Sequence, residues 1–475
     1  MHKVEASSEI KHDLAMKNYA SYSFWLETCG EDLTPRPALD GSIDVDVAIL
    51  GAGYSGLWTA YYLLERQPSL KIAIVEKEIA GFGASGRNGS WCTAHFPVSL
   101  GSVAKHYGPE QARFLYHAMA GSVDEVARVA VAEGIDIHFV KGGGMTVARG
   151  PQQLPSVRGT YAEFEQLGLG DHVQLLDKAE TEKRVKITKA LGAVYYKDAA
   201  NIHPGRLVRG LARAVERRGA TIYEQTAVTN FTTGARPSLK TSRGDLRANT
   251  IVLCGEAYLS QLAKLHRQLI PVYSLMTLTE PLTPADWAEI GWKNRECIDS
   301  CRLTIEYMSK TADGRILFGG RGAPYHFGSR IKDEYDRHEP TIRMFRESVR
   351  KWFPRLKDVR FSHAWGGPLG APRDFMPTMT FDPALGVASA RGYLGNGVAT
   401  TNLSGRVLAD LITGTTSEIA TLPCVNHRSR NWEPEPFRYI GVRFIEDAYW
   451  RIDQKAERTG IPPNGGTLAE RLTRH

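Results

Sequence analysis

The chain has 475 residues, 42% of them hydrophobic, which is enough to bury a large core. Its net charge of +7 is small for this length, and the basic residues are scattered, so nucleic-acid binding is not expected. No apolar run reaches the roughly 18 residues of a membrane span, and the start of the chain lacks a secretion signal's charged head and apolar centre, so a cytoplasmic protein is expected.

Residues 1–40 read as an N-terminal arm. In it, Tyr19-Ala20-Ser21-Tyr22-Ser23-Phe24-Trp25-Leu26 is aromatic enough to dock, and Pro35-Arg36-Pro37 links it to the first strand. Next comes Val47-Ala48-Ile49-Leu50-Gly51-Ala52-Gly53-Tyr54-Ser55-Gly56, followed by a helical pattern and by Ile72-Ala73-Ile74-Val75-Glu76-Lys77. Gly51 permits a tight turn, Gly53 lets backbone approach a pyrophosphate, and Gly56 lets the helix pack close to the sheet. The helix start then offers N–H donors and a positive dipole end to phosphate. Glu76, twenty residues beyond Gly56, stands where a carboxylate accepts from both ribose hydroxyls, which favours NAD or FAD over NADP.

The run Gly81-Phe82-Gly83-Ala84-Ser85-Gly86-Arg87-Asn88-Gly89-Ser90-Trp91 is too rich in glycine and small polar residues to be core. Its backbone amides can wrap a ligand, and Arg87 and Asn88 suit phosphate or flavin oxygens.

With these motifs, the chain resembles the D-amino-acid oxidase, glycine oxidase and sarcosine oxidase superfamily of FAD enzymes. Further segments match in order as far as about residue 412. Asn201-Ile202-His203-Pro204-Gly205-Arg206 and Thr221-Ile222-Tyr223-Glu224 resemble the helix and strand that return the chain to the FAD domain, which implies that the Val228 backbone lies near the adenine. Ile251-Val252-Leu253-Cys254-Gly255 resembles a strand ending beside the pyrophosphate, although Glu256 stands where the family commonly has Asn. Gly392-Tyr393-Leu394-Gly395-Asn396-Gly397-Val398-Ala399-Thr400 resembles the helix start that meets the flavin.

By that resemblance the cofactor is FAD, held without a covalent bond. Its contacts are expected at Gly51, Gly53, Tyr54, Ser55, Gly56, Glu76 and Lys77. The second loop adds Gly83, Ala84, Ser85, Arg87, Asn88, Gly89, Ser90 and Trp91, and the later segments add Val228, Gly255, Gly395, Gly397, Val398 and Thr400. The expected fold is a Rossmann-type α/β FAD-binding domain (41–95, 200–265 and 361–415) interleaved with an α+β, antiparallel-sheet substrate domain (96–199 and 266–360). Asp313-Gly314-Arg315 reads as a hairpin turn in the latter.

Amino-acid oxidases of the superfamily often carry a Gly-Leu-Arg-Pro segment whose arginine grips a substrate carboxylate. Here the matching place reads Trp365-Gly366-Gly367-Pro368-Leu369-Gly370-Ala371-Pro372-Arg373, so an amine is favoured over a simple α-amino acid, with Arg373 left as a displaced substitute. Arg321 follows two glycines at a strand end and is a candidate for an anionic substrate group. Trp91, His95, Tyr273, Tyr307 and Tyr325 are candidates for an aromatic pocket, each also readable as ordinary packing.

The six cysteines form no paired framework, and Cys297-x3-Cys301 lacks a second ligand pair, so reduced thiols and no metal are expected. In the tail, 416–475, a helix over 438–455 should bury Ile440, Phe444, Ile445, Ala448, Tyr449 and Ile452. The functional expectation is an amine oxidoreductase with a small-molecule substrate, acting as a monomer or small homo-oligomer. The carbon bearing nitrogen gives a hydride to flavin N5, and oxygen or another carrier accepts the electrons. A hydroxylase reduced by NAD(P)H, an NAD dehydrogenase and a non-catalytic flavin protein are the rivals.

Overall fold

The apolar residues Val47–Leu50 form the strand on which the nucleotide sheet is built. Ile72–Val75 and then Thr221–Tyr223 pair in parallel on one side, and Thr250–Leu253 and then Val387–Arg391 on the other. Thr378–Asp382 closes that edge antiparallel. This computed structural model describes residues 17–473, so the first part of the expected N-terminal arm lies outside the described residues.

Strand alternation divides the core in two. Ile49, Ile74 and Val252 face a helical layer, while Ala48, Ala73 and Ile251 face a four-stranded sheet that includes Val228–Thr232 and Ser238–Thr241. The helical layer contains Tyr54–Arg66, Pro204–Arg217 and Gly397–Thr413. Pro109–Ala132 also packs there, its Ser122 hydroxyl accepting from Arg406 at 2.6 Å.

A second, eight-stranded sheet lies over the open end of this unit. Its order is Phe361–Ala371, Ile270–Thr279, Ile316–Gly320, Glu306–Lys310, Cys297–Ser300, Gly144–Ala148, Gly192–Tyr196, Val173–Asp177. Every pairing in it is antiparallel except Cys297–Ser300 with Gly144–Ala148. The helix Glu339–Trp352 covers the far face, where Ile342, Phe345 and Val349 meet Ile298, Met308 and Phe318. The near face is turned to the nucleotide unit. Gly314, at φ +77°, turns the chain between Glu306–Lys310 and Ile316–Gly320, as its Asp-Gly dipeptide predicts.

Two expectations need correction. Phe361–Ala371 belongs to the eight-stranded sheet rather than to the nucleotide part, because its long alternating run pairs with Ile270–Thr279 along its whole length. The tail helix forms, over Phe437–Thr459, but Ile440 and Phe444 are 60% and 44% exposed. Ile445, Ala448, Tyr449 and Ile452 are half-buried as expected, and the fully buried members are Arg438, Val442, Asp453 and Ala456. Those polar members are satisfied: Arg438 pairs with Glu435 at 2.9 Å, and Asp453 accepts from the Leu303 and Thr304 amides at 3.0 and 2.9 Å.

In the helical layer, Gly397–Thr413 crosses Tyr54–Arg66 so closely that a Cβ on Gly405 would lie 2.6 Å from the Trp58 Cβ. Gly405→Ala should therefore cost about 1–3 kcal/mol by overpacking. The check is a denaturation midpoint, which should fall; an unchanged midpoint would show that the crossing yields freely.

Candidate active site

The glycines at the start of Tyr54–Arg66 are required by close approach. Gly51 sits at φ +100°, and a Cβ there would lie 2.8 Å from the Cys254 carbonyl oxygen on the adjacent strand's end. A Cβ on Gly56 would strike the Gly51 carbonyl. Glu76, half-buried at the end of its strand, accepts from the Ala52 and Glu78 amides, each at 3.0 Å. Burial pushes its carboxyl up to about 7 against the pull of those two donors. A dinucleotide needs small residues at the helix start, open backbone and a carboxylate at the second strand, and these residues fit FAD on that ground. Lys77 is exposed, and the Tyr54 ring is buried with its hydroxyl donating to the Pro204 carbonyl at 2.9 Å. Ser55 shares a 2.8 Å hydrogen bond with the Tyr393 hydroxyl. Val228 opens its strand half-buried beneath the nucleotide sheet.

The second loop folds back onto this helix start. The Tyr54 amide donates to Ser85 Oγ at 2.9 Å, and a Cβ on Gly53 would lie 3.0 Å from the same oxygen. Asn88 holds the turn over Ala84–Gly86 by donating to the Ala84 and Ser85 carbonyls while accepting from the Ser90 amide at 2.9 Å. The loop is then fastened to the near face of the eight-stranded sheet through its carbonyls. Arg87 O accepts from Trp365 Nε1 at 3.0 Å, and Gly89 O accepts from Ser309 Oγ at 2.6 Å. Trp91 Nε1 donates to Ser309 Oγ at 2.8 Å, while Trp25 of the N-terminal arm donates to Asn88 O at 2.7 Å.

Tyr307 stands in a slot between the loop and the sheet. A Cβ on Gly89 would enter its ring, and a Cβ on Gly319 would lie 2.7 Å from its Cζ. Its hydroxyl shares a 3.0 Å hydrogen bond with Ser274 Oγ, and its ring meets that of Trp91 edge-on with centroids 5.6 Å apart. Arg321 lies on the same sheet face, two residues beyond Gly319. One of its nitrogens donates to Leu394 O at 3.0 Å and lies 3.7 Å from where a Gly395 Cβ would sit, while Nη1 is buried without a partner. Gly395 is at φ +104°, and the helix that follows starts at Gly397 with Val398 buried and Thr400 donating to Asn396 O at 2.6 Å.

Glu256, given no role from sequence, ties these parts together. Its carboxylate accepts from the Gly370, Gly392 and Tyr393 amides at 3.1, 2.8 and 3.3 Å. A Cβ on Gly255, just before it, would lie 2.9 Å from Leu50 Cδ2 and 3.0 Å from Leu259 Cδ2. One side chain thus pins the end of Thr250–Leu253 to the strand after Trp365 and to the approach to Gly395. Ser274 was also missed: nothing in a strand sequence says which tyrosine its hydroxyl will meet.

The other candidates do not share the Tyr307 slot. Tyr273 is on the far face among Tyr335 and His326, because it differs from Ser274 by one strand position and so points the other way. Tyr325 packs beneath the tail helix, with its hydroxyl near Ser329 and Glu435. His95 sits edge-on to Tyr196, 4.5 Å between centroids, and burial lowers it to about 4. Arg373 pairs with Glu433 at 3.2 Å and lies over Trp432, away from the near face. The Arg87 guanidinium bonds Asp336 at 2.5 Å and stacks on Phe82, leaving Nε and Nη2 without partners. It anchors the loop to the segment just before the helix Glu339–Trp352, and burial raises Asp336 to about 6 even beside it.

A nucleotide sheet with its glycines gathered at one edge, roofed by a sheet bearing Tyr307 and Arg321, defines a cofactor-dependent oxidoreductase. Residues 46–411 match the family described as "DAO: FAD dependent oxidoreductase", and the chain belongs to that family, with FAD as its cofactor. It is 30% identical over 387 residues to the gamma-glutamylputrescine oxidoreductase of Escherichia coli (strain K12), spanning 80% of this chain and 86% of that protein. To the glycine oxidase of Geobacillus kaustophilus (strain HTA426) it is 25% identical over 375 residues, 77% of this chain and 92% of that one. The crystal structure of glycine oxidase from Geobacillus kaustophilus aligns with a TM-score of 0.66 at 22% identity, over 81% of this chain and 99% of that chain, which shows the shared fold.

Burial pushes the Glu256 carboxyl up to about 7, well above the roughly 4.3 of an unfolded glutamate. The folded chain therefore keeps a proton that the unfolded chain releases, and the stability this gives at low pH is lost as pH rises through about 7. In the FAD-free protein, urea midpoints should fall between about pH 5 and about pH 8, and less steeply in Glu256→Gln. Equal slopes would place the titration elsewhere.

Proposed function

We propose that this enzyme oxidises a carbon–nitrogen bond of an amine. The observation that carries this reading is the strand Phe361–Ala371 and its exit, which bring no cation to the near face: the Gly370 amide is committed to Glu256, and Arg373 turns to Glu433 in the tail. A carboxylate-gripping fork of the kind that recognises simple α-amino acids is thus not built at that place. Bound FAD supplies a two-electron acceptor, so that the carbon bearing nitrogen loses hydride and the resulting imine is hydrolysed by water to a carbonyl compound.

The chain's own part is placement and electrostatics. Trp91 and Tyr307 wall the near face, with Ser274 fixing the Tyr307 hydroxyl. Arg321 and the helix start at Gly397 bring a cation and N–H donors to the Gly395 side, where they stabilise negative charge as the cofactor is reduced. No dedicated base is required, since a neutral amine held in place meets the chemical need. The Cys92 and Cys254 thiols, at the cofactor segments, are buried and raised above the usual range, Cys254 to about 12. They are poor nucleophiles for a covalent link, in keeping with FAD held non-covalently. Among the described residues no helix is long and apolar enough to cross a membrane.

The experiment is anaerobic mixing of the yellow holoenzyme with monoamines, diamines, N-methyl amines and α-amino acids, read at the flavin band near ~450 nm. Bleaching by amines faster than by α-amino acids is expected. Bleaching by NADH and by no amine would replace this reading with a hydroxylase.

A further inference from the structure

The register of the eight-stranded sheet sets a row across its near face: Val194, Thr146, Asp299, Tyr307, Gly319 and Met276 stand opposite one another from strand to strand. Directly paired residues project from the same face as neighbours. The Asp299 carboxyl therefore stands beside Tyr307, whose ring lies against Gly89 of the cofactor loop. On its other side is Thr146, and Tyr196 follows on the same face as Val194 with its ring against His95. Asp299 is thus set into an aromatic wall, between the Tyr307 and Trp91 pair and the Tyr196 and His95 pair.

This carboxyl is incompletely matched by the protein. Its Oδ1 is buried without a hydrogen-bond partner. The Thr146 hydroxyl bonds it, but its charged neighbour is Glu306, of its own sign, and burial with that repulsion raises it to about 7 against the Thr146 hydrogen bond. Arg302, three residues along the chain, is turned to Asp453 and Glu457. Buried carboxylates are ordinarily paired with a cation or kept neutral.

We propose that Asp299 anchors a second, non-reacting ammonium group of the substrate, which makes the substrate class a diamine: one nitrogen on the carbon that is oxidised and another cation several bonds away. The inference rests on the amine-oxidising reading of the near face and narrows it.

The test compares matched pairs, butylamine with 1,4-diaminobutane and pentylamine with 1,5-diaminopentane, as reductants of the holoenzyme under anaerobic conditions. In the wild type the second ammonium should lower the half-saturating concentration by about tenfold or more, as expected for a desolvated charge pair. In Asp299→Asn that diamine-to-monoamine ratio should shrink to within about threefold of one, and Asp299→Glu should restore part of it. FAD content and thermal midpoint are recorded for each variant. The wild-type ratio needs no variant, so a folding defect in Asp299→Asn leaves the proposal exposed to it. Monoamines as effective as diamines in the wild type, or an undiminished ratio in a folded Asp299→Asn, would overturn the anchor while amine oxidation stands. Reduction by no amine at all would overturn both.

Discussion

The structure depends on the parallel seating of Thr250–Leu253 between Val47–Leu50 and Val387–Arg391. These strands come from three distant parts of the chain, and parallel pairing forces their carboxyl ends to emerge at one edge. Gly51, Gly255 and Gly392 are carried there together, and the helix starts that follow Gly53 and Asn396 point into the same space. On the proposed reading, that edge, more than any one motif, holds the cofactor.

Closure from above follows from the edge. The loop after Ala84–Gly86 offers three carbonyls to Trp25, Ser309 and Trp365, so the arm, the sheet and the nucleotide unit share one set of hydrogen bonds. Tyr307 fits only because Gly89 and Gly319 carry no side chain. Glu256 adds a buried carboxylate that satisfies three amides at once, an arrangement in which losing the acceptor strands every donor. Together these contacts place Arg321 at the Gly395 side and Ser274 and Tyr307 on the same sheet face, where register sets Asp299 beside Tyr307.

The dinucleotide unit was legible in the sequence because its parts lie within one supersecondary unit, where glycine spacing and the carboxylate after the second strand have local causes. The sheet on the substrate side was legible as alternating strands, but not its extent: Phe361–Ala371 reads alone as a return to the nucleotide part, and only pairing with Ile270–Thr279 assigns it. Glu256 was invisible because its acceptor role is set by amides 114 and 136 residues away. Tyr273 was grouped with Tyr307 for its chemistry, but strand parity puts it on the far face. On the tail helix the expected stripe was right for Ile445, Tyr449 and Ile452 but placed Ile440 and Phe444 on it, where Arg438 and Asp453, which find partners, are buried instead. Strand parity, register and long-range pairing are tertiary facts, and a single sequence carries them only weakly.

The most direct test of this account is a crystal structure of the FAD complex. The account predicts the pyrophosphate over the helix start at Gly53, the ribose at Glu76, and the ring between the 87–91 loop, Arg321 and the helix start at Gly397, with one face open to Tyr307 and Asp299. A ring turned away from the near face of the eight-stranded sheet, or Asp299 walled off from the space above it, would contradict it.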